Sequence, residues 1–171
     1  DLERLLRDAR GEAWAHHSVG LLAERRGDMR EAKKRFAKAQ ALVPEEFPPP
    51  VALSEEEFDQ ALEAAVKALP GHVKGYLDNV TISVEEIPSD EDLTGQSPPL
   101  SPCILGVFRG TPVGERSVTN TYDHFPAAIV LYQRNLERFA KTREELIEQI
   151  GITVMHEVGH LVGLDEVGLG E

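Results

Sequence analysis

Three consecutive prolines, Pro48, Pro49 and Pro50, limit what this chain can fold into more than any other feature. Proline lacks a backbone N–H, fixes φ and drives its predecessor out of the helical region, so no helix passes through this point. We place a domain boundary there, giving segments 1–47 and 48–171. Residues 1–44 read as helix with one break, where Gly27 can close a helix in the left-handed conformation and Asp28 can cap the next. The product is an α-helical hairpin. Beyond the prolines the pattern is mixed. Ser54 and Glu57 form a capping box for a helix to about Leu69, and "LPGHVKGYLDN" reads as a short helix. "VTISVEEI", "CILGVFRG" and "AAIVLYQ" read as strands, separated by loops at "DLTGQSPPLSP" and "TPVGERSVTNTYDHFP". Thr142 and Glu145 form a second capping box, opening a last helix to about Leu164. The expected class is α+β: a short sheet of three to four strands packed on the last helix, preceded by the hairpin.

Composition excludes several functions. A hydrophobic content of 41% in 171 residues is enough for a core. With 18 Lys+Arg against 30 Asp+Glu, the net charge of -12 repels phosphate backbones, which sets nucleic acid aside. Cys103 is the single cysteine, so there is neither an intramolecular disulfide nor a thiolate cluster, as expected of a reducing, cytoplasmic setting. No apolar run reaches membrane-spanning length and no signal-peptide pattern opens the chain.

The chemistry concentrates in "TVMHEVGHLVGLDEVG", residues 153–168. His156 and His160 are one helical turn apart, so both imidazoles lie on one face and can hold one tetrahedral ion. Glu157, beside the first histidine, can reach a water on that ion as a general base without being a ligand. Gly163 stands where the helix must end for the chain to swing back, and Glu166, three residues on, can supply an oxygen as third ligand. Asp165 is adjacent and equally capable, although Glu166 fits the spacing better. Three protein ligands leave a fourth position open, as catalytic zinc requires. Ile147, Ile150, Val154, Val158, Leu161 and Val162 form an apolar face. Gln149, Thr153, His156 and His160 gather opposite it, so one side is expected against a core and the other in a cleft.

The motif H-E-x-x-H-x-x-G-x-x-E resembles the zincin metallopeptidases, and the segment from about Leu53 onward looks like the minimal zincin-like family of small bacterial proteins. Relatives with a methionine turn do not match, since Met29 and Met155 are the only methionines. The resemblance implies a short sheet over the motif helix, one zinc ion per chain on His156, His160 and Glu166, and cleavage of a peptide or protein substrate with Glu157 as base. Zincins pair an extended substrate with an edge strand, and "AAIVLYQ" is the candidate here. Tyr122, His124, Tyr132 and Arg116 are unranked candidates to stabilise a developing oxyanion.

The first segment has its own resemblance. Gly20, Gly27, Ala32, Phe36, Ala39 and Pro44 fall at the spacing of a tetratricopeptide repeat spanning residue 13 to about 46, with His16 where an aromatic is usual and Trp14 two places earlier. Such a hairpin can recruit a protein partner. The alternative function is therefore a non-catalytic adaptor or regulatory module whose metal site is structural or vestigial. An open fourth ligand position in a peptide-length cleft separates the two readings, and a non-peptide amide hydrolase would use the same residues.

Overall fold

Helix α1 (Leu2–Arg25) and helix α2 (Met29–Leu42) form a hairpin in the computed structural model, which describes residues 1–115 and 126–163. Gly27 has φ 79°, and the Asp28 side chain accepts the Glu31 N–H at 3.0 Å, so one residue closes α1 and its neighbour opens α2. Small residues set the helix separation: Ala13, Ala32 and Ala39 are fully buried, and a Cβ on Gly20 would stand 2.6 Å from the Phe36 ring. Val43 has φ -141°, as a residue before proline must, and α2 ends at it. Phe47 then folds back edge-on to Trp14, with ring centroids 5.0 Å apart. The chain divides into two compact units, Asp1–Pro50 and Val51–Glu171.

The second unit begins with α3 (Glu55–Ala68), whose capping box is complete: Ser54 Oγ accepts the Glu57 N–H, and the Glu57 carboxylate accepts the Ser54 N–H. Short helix α4 (Gly71–Leu77) leads into β1 (Val80–Glu85). The later elements are α5 (Asp90–Thr94), β2 (Gly106–Arg109), a 3-10 turn at Val113–Glu115, β3 (Ala127–Tyr132), α6 (Gln133–Phe139) and α7 (Arg143–Leu161). The three described strands form a mixed sheet in the order β1-β3-β2, with β1 parallel and β2 antiparallel to β3. Its core is Phe58, Ala61 and Ala65 of α3, Ile129 and Leu131 of β3, and Leu146, Ile150, Val154 and Val158 of α7. The α+β class and the three-stranded sheet agree with the sequence expectation. Among the described residues no helix is long and apolar enough to cross a membrane.

Four details differ from that expectation. β3 is central and paired on both sides, so "AAIVLYQ" cannot receive a substrate strand; the described edges are β1 and β2. Its unbroken apolar run is the pattern of a strand covered on both faces. The stretch expected as a loop at "DLTGQSPPLSP" begins in α5, whose first turn is capped by Ser89 through the Asp92 N–H. The second capping box is only half formed: Thr142 caps Glu145, but the Glu145 carboxylate accepts the N–H of Lys141. Finally, α7 stops at Leu161 rather than near Leu164, because Gly163 adopts φ 77°.

Candidate metal centre

Helix α7 carries the motif, and its length follows from its sequence: a Thr142 cap, fully buried apolar residues at helical spacing, and the left-handed glycine after its end. It packs on α3 along one flank and on β2 and β3 along another. The flank under β2 requires a close approach at Gly106. A Cβ there would stand 2.8 Å from Thr153 Cγ2 and 2.9 Å from the Val130 carbonyl oxygen. Thr153 and Glu157 are consequently buried, which corrects the expectation that the face bearing Thr153 opens wholly to a cleft. The two imidazoles, by contrast, are half-buried.

One ring nitrogen of His156, one of His160 and a Glu157 carboxylate oxygen lie within 4.8 Å of one another. The imidazole centroids are 5.0 Å apart with planes at 82°, so the rings meet edge to face. Two neutral imidazoles and a carboxylate suit zinc, a borderline ion that takes nitrogen and oxygen ligands. The donor set therefore fits. Glu157 is only 5% exposed, and burial pushes its carboxyl up to about 7, a rise partly offset by the Phe108 backbone amide on β2. A carboxylate poised near neutrality is suited to exchange protons with water.

The other candidates fare differently. Glu166 and Asp165 lie outside the described residues, as do Tyr122, His124 and Arg116. Tyr132 is fully buried, and its hydroxyl donates to Asp92 Oδ2 at 2.7 Å, far from the role of an oxyanion donor. Burial first, then the Asp92 contact, raises its pKa. Arg109 on β2 pairs with Asp92 and, at 3.2 Å, with Glu85. Mainly through Arg109, Asp92 is held at about 2. This network joins α5 to all three strands. Sequence reading did not find it, since Asp92 stood in an expected loop, nor the parts played by Gly106 and the Phe108 amide. The lone glycine inside an apolar run was the available signal for a close backbone approach.

The sequence model of the zincin-like metallopeptidase family matches residues 77–171, more than half of the chain, including the H-E-x-x-H helix. A small α+β domain that presents two histidines and a buried glutamate from one helix under an edge strand defines the class. The chain belongs to the zincin-like metallopeptidase family. No curated protein matches it.

Proposed function

We propose that this protein is a zinc-dependent peptidase. Its reading rests on one observation: the convergence of His156, Glu157 and His160 within 4.8 Å. His156 and His160 would hold the ion through their ring nitrogens, with Glu166 as third ligand. When bound, zinc supplies a Lewis acid that lowers the pKa of water from near 16 to about 7. Glu157 takes the proton from the attacking water at its carboxylate and delivers it to the leaving amine, a task for which its raised pKa suits it. β2 packs on the helix and its Phe108 amide reaches the base, and as a described edge strand β2 replaces β3 as the place for an extended peptide to pair. The hairpin reading as one tetratricopeptide-like unit is supported by the seat of Gly20 against Phe36.

The test is elemental analysis of protein purified without chelator and then titrated with zinc. The parent is expected to hold about one zinc per chain, with His156→Ala, His160→Ala and Glu166→Ala binding far more weakly. Glu157→Gln should keep zinc and lose hydrolysis of a peptide library, because an amide cannot accept the water proton. Unchanged stoichiometry in the histidine variants would remove the site.

A further inference from the structure

The helix-covered face of the sheet is left unfilled at β1. Helix α3 leans on α7 rather than on β1. Ile82 and Val84 pair across the sheet with Ile129 and Leu131 and so share their face, yet the first two stay partly exposed while the second two are fully buried. The gap is a cavity of about 670 Å³ with Leu53, Leu62, Ile82 and Val84 as its apolar surface. That volume falls in the range that takes small organic ligands.

The polar lining is acidic. Glu55, Asp59, Glu85, Glu86 and Glu137 contribute carboxylates, against the single guanidinium of Arg134. Arg134 is already engaged with Glu86 at 3.1 Å, and Glu85 with Arg109 at 3.2 Å. The Glu137 carboxylate accepts the Leu53 N–H at 3.1 Å. Glu55 and Asp59 are left without an ion pair among the described residues. They stand one turn apart on α3, with Leu62 almost a turn further, so one helix face runs from carboxylates to apolar wall.

We propose that this cavity binds a primary alkylammonium, its aliphatic stem seated on Leu62, Ile82 and Val84 and its charged head between Glu55 and Asp59. A neutral apolar ligand would use the apolar wall alone and leave the Glu55 and Asp59 carboxylates unpaired, whereas an ammonium head adds charge-assisted hydrogen bonds to both. A divalent ion needs six or more oxygen ligands if it is calcium, and the apolar side of the cavity provides none. The chain's net charge of -12 adds a long-range attraction for cations. A free diamine and a lysine side chain carry the same chemistry. No residue is shared with the His156–Glu157–His160 cluster, so failure of either reading leaves the other standing.

The experiment is calorimetric titration of the full chain, at fixed ionic strength, with pentane-1,5-diamine and with N-acetyl-lysine methylamide. Hexan-1-ol and magnesium chloride serve as the neutral and purely ionic probes. Saturable binding of either amine at one site is expected, and the better of the two identifies the source. The Glu55→Gln/Asp59→Asn variant should weaken it about tenfold or more. Both side chains are exposed on α3, so the fold should persist, which circular dichroism checks. Leu62→Trp, which fills the cavity and leaves every charge in place, should also abolish binding. Unchanged affinity in the double variant, hexan-1-ol binding as tightly as the amine, magnesium displacing it, or no saturation with either amine would each overturn the proposal.

Discussion

Replacing Glu157 by glutamine should make the metal-free protein more stable, increasingly so as pH rises above about 4.5. Burial moves this carboxyl from the usual 4.5 to about 7. In the window between those values the folded protein holds a proton that the unfolded chain has released. Stability therefore falls as pH rises through it, and the penalty is complete above the folded value. A shift of roughly 2.5 units at about 1.4 kcal/mol per unit amounts to on the order of 3 kcal/mol. Glutamine fits the same space and does not titrate. Its advantage over the parent should be near zero around pH 4 and approach that magnitude near pH 8, less the cost of burying the amide. Urea unfolding with chelator present, repeated across this range, measures it directly. A stability difference that does not change with pH would refute the claim that burial of an ionisable carboxylate at Glu157 is what costs the fold free energy.

Three further outcomes follow from the packing and the polar network. Gly106→Ala should destabilise by about 1–3 kcal/mol, because its Cβ would meet Thr153 Cγ2 at 2.8 Å and the Val130 carbonyl at 2.9 Å. Adding Thr153→Ser should recover part of that loss in a double-mutant cycle. Asp92→Asn should cost roughly 1–2 kcal/mol at pH 7, allowing for the exposure of Arg109. The carboxylate's contribution is present above its ordinary 3.8 and is lost as pH falls through about 2, so the difference from the parent should shrink there in acid unfolding. Gly20→Ala should lower the thermal midpoint through a Cβ 2.6 Å from the Phe36 ring, and Phe36→Leu in the same chain should relieve it.

Local chemistry was written in the sequence. The proline run, the Gly27–Asp28 break, the Ser54 box and the periodicity of α7 act through residues no more than one or two turns apart, so they can be read without knowing what packs where. The same holds for His156 and His160, whose approach is set by helical spacing alone. Tertiary structure decided everything that depends on a partner distant in the chain. It made β3 central and left β2 as the described edge strand above Glu157, because β1 and β2 reach β3 only after long connections. It tied the hydroxyl of Tyr132 to Asp92, across 40 positions, and so took it away from the site. It also buried Glu157, raising a carboxyl that sequence could place beside a histidine but could not desolvate. Proton affinity depends on the dielectric around a group, and here a strand held close by one glycine contributes to that surrounding.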